Sequence, residues 1–198
     1  MTKRKIPEVL TEEEQKKLID QFNTRYPTSH RNKMMIQLML DTGLRLAEAC
    51  SLRWKDINLT SGKLVIREGK GAKDRTLWIG ENRLEALRDW KERQIEWLED
   101  APEHVFTTRN GDPVSHRQVQ KMISNYSEKA GIEKNVHPHT LRHTFATDLY
   151  RETGKIRLVQ KALGHADLST TMIYTHIVDE ELEDAMKSFR GEERPIRA

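Results

Sequence analysis

Cysteine and long apolar segments are nearly absent from the sequence. The single cysteine, Cys50, cannot form a disulfide within the chain. No segment approaches the ~20 consecutive apolar residues of a transmembrane helix, and residues 1–5 lack the apolar core of a secretion signal. These absences argue against an integral membrane protein and a disulfide-stabilised secreted domain, and we expect a cytosolic protein.

Cys50 lies among Leu46, Ala49 and Leu52, a spacing typical of the buried side of a short helix. We therefore interpret it as a core residue. A catalytic cysteine is the less favoured alternative, because no histidine lies nearby in sequence to lower the pKa of the thiol.

Charge is unevenly distributed, although the net charge is only +3. Basic residues outnumber acidic ones in residues 28–75 and 134–165, whereas residues 81–103 and the tail after Ile177 are acidic. This alternation suits a molecule with one face toward a polyanion. Solvated charged helices are the commoner explanation of any single run.

Helical patterns account for most of the chain. Thr11 and Glu14 form a capping box that begins the first predicted helix, at residues 11–22, after a basic arm at residues 1–10. Apolar spacings of three and four residues predict the other helices. We expect them at about residues 34–40, 81–98, 119–130, 140–151, 156–163, 169–175 and 178–189.

Two short β-prone segments, residues 63–67 and 75–79, predict a hairpin with Lys70 in its connection. Residues 105–108, followed by an Asn-Gly turn, predict a third strand. The expected fold is therefore mainly α with a small antiparallel three-stranded β-sheet (α+β). We expect residues 11–190 to form one domain, and the charged tail at residues 191–198 to be disordered.

The densest group of polar functional side chains is the segment His137-Pro138-His139-Thr140-Leu141-Arg142-His143, which is predicted to begin a helix. His139 and Arg142 share one helical face, at a terminus whose N–H groups suit a phosphate. His139 and His143 also have the spacing of a helical zinc site. The glutamate of the zinc-protease motif is absent, however, and Arg142 between the two would repel a cation. We therefore predict no metal here, and the simplest role for His137 and His143 is structural.

Arg45 follows Thr-Gly-Leu at the predicted start of a helix, where a cation gains nothing from the helix dipole. This placement indicates an anionic partner. A surface pair with Glu48 is an equally simple explanation of Arg45 taken alone. Tyr174 lies nine residues after His165 and, taken alone, is interpreted as a core residue.

In combination, four segments resemble the tyrosine recombinase (phage integrase) family. They are residues 42–48 (Thr-Gly-Leu-Arg-Leu-Ala-Glu), residues 69–75 (Gly-Lys-Gly-Ala-Lys-Asp-Arg), residues 139–147 (His-Thr-Leu-Arg-His-Thr-Phe-Ala-Thr), and Leu-Gly-His at residues 163–165 followed by Tyr174. They occur in the family's order, and the resemblance extends over residues 11–189. By this resemblance the catalytic residues are Arg45, Lys70, His139, Arg142, His165 and Tyr174.

The resemblance implies the catalytic-domain fold of that family and a site-specific recombinase that cuts double-stranded DNA through a 3′-phosphotyrosyl link to Tyr174. His139 would accept the tyrosine proton, and His165 would position the phosphate. Lys70 would protonate the leaving 5′ oxygen, with Lys73 as its competitor. The phosphotyrosyl bond conserves energy, so no ATP is expected, and the two arginines make a metal unnecessary.

The resemblance also implies self-association on DNA, with four protomers in the synaptic complex. The predicted helix at residues 178–190 would pack onto a neighbouring protomer or fold back on its own domain. Most family members carry a further N-terminal helical domain, so this sequence is either a part of a longer protein or a minimal recombinase. A type IB topoisomerase and a catalytically idle DNA-binding regulator are the alternative functions.

Contacts with DNA outside the catalytic residues are predicted on the hairpin and at a helix start, where solvated surface residues are the simpler alternative. The candidates are Lys73, Arg75, Arg117 and Gln118.

Overall fold

The structure, a computed structural model, describes residues 7–67 and 74–188. Within these ranges the chain forms eight α-helices and one two-stranded antiparallel sheet. The helices are α1 (Glu12–Asp20), α2 (Pro27–Thr42), α3 (Leu46–Ser51), α4 (Glu81–Leu98), α5 (His116–Lys129), α6 (Pro138–Thr153), α7 (Ile156–Leu163) and α8 (Ile173–Ser188), and the strands are β1 (Lys63–Ile66) and β2 (Arg75–Trp78). In this described part, none of the helices has the length and apolarity that a membrane span requires.

Helix α2 forms the centre of the fold, where it packs against both α4 and α6. Its Met34, Ile36, Leu38 and Met39 side chains are at most 1% exposed, and burial of each contributes on the order of 2 kcal/mol. The helix begins seven residues before the predicted start, at Pro27, which suits a first helical position. The apolar pattern missed this first half because polar side chains occupy it.

Gly43 ends α2 in a left-handed conformation (φ +63°), as expected for a helix C-terminus. A Cβ atom at this position would lie 2.3 Å from the Phe145 ring, so glycine also permits close packing of α2 against α6. The next functional residue, Arg45, is thereby held beside the N-terminal half of α6.

The hairpin was predicted correctly, with Leu64 opposite Leu77 in the register of β1 and β2. The predicted third strand was wrong: within the described residues, the segment at 103–107 makes only isolated bridges, Arg53 with His104 and Thr107 with Pro113. The carbonyl of Val105 instead accepts a hydrogen bond from the Trp90 indole (2.8 Å). The N–H of Val105 donates to the Leu52 carbonyl, whereas the Phe106 carbonyl accepts from the Val114 N–H. The segment therefore pairs with two different stretches of backbone and not with one continuous strand.

Two predictions near the C-terminus also need correction. Residues 169–175 do not form one helix, because a 3₁₀ turn at Leu168–Thr170 precedes α8 and is closed by the Asp167 side chain, which accepts from the Ser169 N–H (2.9 Å). The last helix begins at Ile173 and is continuous through the predicted break, where no glycine or proline interrupts it. Tyr174 is therefore in the first turn of α8.

Leu10, the last residue of the predicted N-terminal arm, packs into the folded domain. Leu10 is fully buried, and its N–H donates to Thr144 Oγ1 of α6 (2.9 Å). Residues 1–6, like residues 68–73 and 189–198, lie outside the described residues. Cys50 is 6% exposed and burial raises the pKa of its thiol to about 11, which confirms its interpretation as a core residue.

Substitution of Gly43 by alanine tests this close packing. Gly154→Ala is the matched control, since Gly154 ends α6 with a similar φ of +64° and a Cβ there would meet nothing within 4 Å. We expect Gly154→Ala to lower the free energy of unfolding by about 1 kcal/mol through backbone strain alone. Gly43→Ala should cost about 1–3 kcal/mol more in urea denaturation. Equal losses would show that Phe145 moves aside without cost.

Candidate active site

Arg142 is buried at the centre of the site, in the second turn of α6. Its side chain donates through Nη1 to the Gly43 carbonyl (2.5 Å) and through Nη2 to the Leu163 carbonyl (2.6 Å). Nη2 also lies 3.3 Å from Nε2 of His165. Burial lowers the pKa of Arg142 to about 10, so the side chain remains a cation at neutral pH. One guanidinium thus joins the ends of α2 and α7 to α6.

Arg45 immediately precedes α3 and lies on the same side of the molecule as Arg142. After the larger effect of burial, the positive charge of Arg45 further lowers the pKa of Arg142, as expected for neighbouring guanidinium groups. Nη1 of Arg45 donates to Oε1 of Glu48 (2.8 Å), so the alternative expected from sequence, a pair with Glu48, is present. The Arg45 side chain is nevertheless 38% exposed, and the pair leaves it accessible to an anion.

Glu48 connects Arg45 to a second arginine, Arg75 of β2. Arg75 donates to both carboxylate oxygens of Glu48 (2.8 and 2.7 Å) and through Nε to the Ala162 carbonyl (3.0 Å). Burial raises the pKa of Glu48, but the hydrogen bonds from Arg75 and from the Arg45 backbone outweigh it and lower that pKa to about 2. The carboxylate is therefore ionised at all physiological pH values, and it fixes the start of α3 against the sheet.

Two histidines lie beside the arginines. His139 is exposed at the start of α6, and burial, His137, Arg142 and Arg45, in that order, lower its pKa, so it is neutral at pH 7 and able to accept a proton. His165 follows α7 and has its Nδ1 3.1 Å from the hydroxyl of Thr171. Arg142 lies 3.3 Å from His165, and the charges of Arg142 and Arg45 both act on His139, so these side chains are neighbours. We call Arg45, His139, Arg142 and His165 the phosphate pocket, after the ligand that the sequence leads us to expect.

Tyr174 is 1% exposed and packs in a small apolar cluster with Ala146, Val159, Leu163 and Ile177. Its hydroxyl lies 3.0 Å from Nδ1 of a histidine on α6 that sequence analysis assigned to structure, His143. Burial raises the pKa of Tyr174 to about 12. The pKa of its histidine partner is lowered to about 4, mainly by burial and then by surrounding positive groups. The phenol and the imidazole therefore form a neutral pair at pH 7.

Comparison with known proteins identifies the family of the chain. The model of the phage integrase family matches residues 8–181. The chain belongs to the phage integrase family. A tyrosine recombinase XerC of Xanthomonas axonopodis pv. citri is 41% identical over 174 residues, which are 88% of this chain and 55% of that protein. The chain thus spans about half the length of this curated relative.

Solved structures of the family share the fold. The crystal structure of XerA recombinase matches with a TM-score of 0.81 and 33% identity, covering 96% of this chain and 68% of that one. The XerH site-specific recombinase bound to palindromic difH substrate, in a post-cleavage complex, matches with a TM-score of 0.78 and 34% identity, covering 92% and 53%. The catalytic-domain fold expected from the resemblance is therefore confirmed.

The structure brings together four of the six predicted catalytic residues in the phosphate pocket and places a fifth, Tyr174, next to it. The sixth, Lys70, and the candidate DNA contact Lys73 lie outside the described residues. Among the described residues, no group of three or more His, Cys, Asp or Glu side chains could hold a metal ion.

The other predicted DNA contacts separate into buried and exposed residues. Arg75 is only 7% exposed and binds Glu48, so its placement does not match the expected contact with DNA. Arg117 is exposed in the first turn of α5, a helix that packs against α3. Gln118 is exposed too, but its Oε1 accepts from the Ser115 N–H (2.9 Å) in a capping box. The contacts of Arg117 and Gln118 with DNA stay predictions.

Sequence reasoning foresaw the pair of Arg45 with Glu48. It did not foresee that the same carboxylate binds Arg75, nor the contacts that His143 and Thr171 make here. Glu48 carried a usable signal, since it lies three residues after Arg45 on the same helix start. The other two carried none, because their partners are 31 and 6 residues away across a turn between helices.

The paired state of Glu48 predicts a pH dependence of stability. Its pKa is about 2 in the folded protein and near 4.5 when unfolded, so the stabilisation is complete above about pH 5 and is lost as the pH falls through 2. We expect Glu48→Gln to lower the free energy of unfolding by about 3 kcal/mol at pH 7 and by much less at pH 2, in denaturant titrations.

The matched control is Glu13→Gln, because Glu13 forms an exposed pair with Lys17 within α1. This change should leave stability unaltered at both pH values. A loss from Glu48→Gln that is equally large at pH 2 and pH 7 would contradict an ionic origin.

Proposed function

We propose that this domain cleaves and rejoins double-stranded DNA through a covalent link between Tyr174 and a backbone phosphate, as part of a site-specific recombinase. The observation that carries the proposal is the convergence of Arg45 and Arg142, 97 positions apart in sequence, with the Tyr174 phenol beside them. Attack on a phosphodiester spreads negative charge over the phosphate oxygens, and two fixed guanidinium groups suit that charge.

In the proposed reaction the Tyr174 oxygen attacks phosphorus, the bond to the 5′ oxygen breaks, and a 3′-phosphotyrosyl intermediate forms. His139 is the proposed acceptor of the phenol proton because its lowered pKa keeps it neutral. Lys70 is the proposed donor to the leaving 5′ oxygen. The reverse reaction reseals the strand, and since the phosphotyrosyl bond conserves energy, we propose that neither ATP nor a metal ion is required.

The buried state of Tyr174 indicates that the described conformation precedes attack. The neutral pair with His143 is unreactive, since a phenol with a pKa of about 12 is a weak nucleophile. We propose that binding of DNA moves the first turn of α8, so that the hydroxyl leaves this pair and faces the phosphate pocket.

Strand exchange needs more than one protomer, and α8 is the proposed contact between them. Its first turns fold back on the domain through Ile177, whereas Met186 near its end is 65% exposed. We propose that the end of α8 packs on a neighbouring protomer within a tetramer on DNA. The related XerH was crystallised with a difH substrate, which supports a specific DNA site. We expect the protein to act in the cytoplasm, at the nucleoid.

The nucleophile is tested with a DNA duplex nicked near the cleavage site, which traps the covalent intermediate. The duplex requires a recognition sequence, first obtained by selecting bound duplexes with the purified protein. Wild-type protein should give a covalent complex on a denaturing gel, and Tyr174→Phe should give none. Tyr26→Phe is the control, because Tyr26 is 66% exposed, and it should retain the complex. A complex formed by Tyr174→Phe would contradict the assignment.

Mixing two cleaved duplexes then distinguishes strand exchange from relaxation by a topoisomerase.

The arginine clamp is tested by replacement with lysine, which retains the charge and loses the fork. Arg45→Lys and Arg142→Lys should each lower the single-turnover rate of cleavage by roughly 10²–10³-fold, comparable to loss of one transition-state donor. Arg151→Lys is the control on the same helix, where Arg151 binds Asp148 at the surface (2.7 Å), and its rate should be unchanged. Rates near wild type for both clamp variants would refute the clamp.

A further inference from the structure

Thr171 is a fully buried threonine whose hydroxyl contacts His165 of the phosphate pocket, on the side of the ring opposite Arg142. Its Oγ1 lies 3.1 Å from Nδ1 of His165, and the opposite ring nitrogen, Nε2, lies 3.3 Å from Nη2 of Arg142. The imidazole is therefore held between a group that can only donate and a hydroxyl that can donate or accept.

These two contacts select the tautomer of His165 in the free protein. A guanidinium N–H has no lone pair to offer, so Nε2 must accept if the contact with Arg142 is a hydrogen bond. The proton of the neutral imidazole then lies on Nδ1 and is donated to Thr171. A phosphate oxygen in the pocket would require the opposite arrangement, in which Nε2–H donates and Nδ1 accepts from the hydroxyl.

The backbone holds Thr171 firmly in place for this role. Its N–H donates to the Leu168 carbonyl (2.8 Å) within the 3₁₀ turn, and its own carbonyl accepts from the Tyr174 N–H (3.1 Å). One residue thus contacts His165 through its side chain and the nucleophile's segment through its backbone.

We propose that Thr171 is a positioning residue for His165: its hydroxyl fixes the Nδ1 side of the ring and reverses its hydrogen bond when a phosphate takes the place of Arg142 at Nε2. The inference rests on the proposed function. A hydroxyl can serve both tautomers, whereas an obligate donor or acceptor would stabilise only one of them. The proposal assigns the function of the residue to the hydroxyl and not to the methyl group.

Two substitutions separate the hydroxyl from the methyl group. Thr171→Val keeps the branched shape and removes the hydroxyl, and it should slow covalent-complex formation by roughly tenfold, the effect of one lost hydrogen bond in a buried site. Thr171→Ser keeps the hydroxyl and should stay within about twofold of wild type. Thr170→Val is the control, since Thr170 is exposed and its hydroxyl donates to the Asp167 carbonyl (2.7 Å).

Nitrogen-15 NMR of the histidine rings provides a measurement that does not depend on activity. The signals of His165 are assigned by their absence in His165→Gln. Free wild-type protein and Thr171→Ser should show the Nδ1–H tautomer of His165 with a hydrogen-bonded Nδ1 proton, whereas in Thr171→Val that proton should lose its hydrogen bond and the Nδ1 signal should shift.

The outcomes decide the inference separately from the proposed function. Two results would overturn the positioning role. One is a Thr171→Val variant that forms the covalent complex as fast as wild type, and the other is a Thr171→Ser variant that is slowed as much as Thr171→Val. An Nε2–H tautomer in the free wild-type protein would overturn the fixed ring orientation, even if Thr171→Val fails to fold. Suppose instead that wild-type protein shows the hydrogen-bonded Nδ1 proton, that the valine variant loses this hydrogen bond, and that wild-type protein forms no covalent complex. The proposed function then fails and the contact between Thr171 and His165 stands.

Discussion

The site depends on one buried cation, the guanidinium of Arg142. A buried charge is costly unless it is compensated, and here the compensation comes from backbone carbonyls and not primarily from a carboxylate. The carbonyls of Gly43 and Leu163 lie at the C-terminal ends of α2 and α7, where unpaired carbonyls and the helix dipole concentrate negative partial charge. The cation thus gains solvation without losing its net charge, which remains available to a phosphate.

Arg75 shows the contrasting solution in the same structure. Both oxygens of Glu48 bind Arg75, so Arg75 holds elements together, and its charge lowers the pKa of Arg142 less than the charge of Arg45 does. Arg45 lies between these two cases, because its Nη1 donates to the same carboxylate but its side chain is still 38% exposed. Burial and pairing therefore indicate a structural role for Arg75, whereas Arg45 and Arg142 are left able to attract an anion.

Burial and the surrounding charges also keep Tyr174 and His143 neutral. Positive groups around α6 disfavour protonation of His143, and burial disfavours ionisation of Tyr174, so the two rings stabilise each other as neutral groups. The pKa of an exposed phenol would not be raised by burial. Under the proposed reaction, Tyr174 must leave this pair, so the chemistry would be coupled to movement of the first turn of α8.

The sequence by itself determined the helices with strong local signals. Residues 81–98 and 156–163 match α4 and α7 to the residue, because apolar periodicity and a terminating Gly164 act locally. It also determined the chemical composition of the site, since the identities and order of Arg45, His139, Arg142, His165 and Tyr174 are visible in one dimension. These features depend on neighbours along the chain.

Only the tertiary structure decided which groups pair. The burial of Arg75, the pairing of Tyr174 with His143 and the contact of His165 with Thr171 each depend on how α6, α7 and α8 pack, and no local pattern encodes that packing. The missing third strand has the same origin, because the backbone of Val105 and Phe106 pairs with two different stretches of chain and not with one continuous strand. Hydrogen-bond partners are settled by proximity in space, which a linear sequence specifies only through the complete fold.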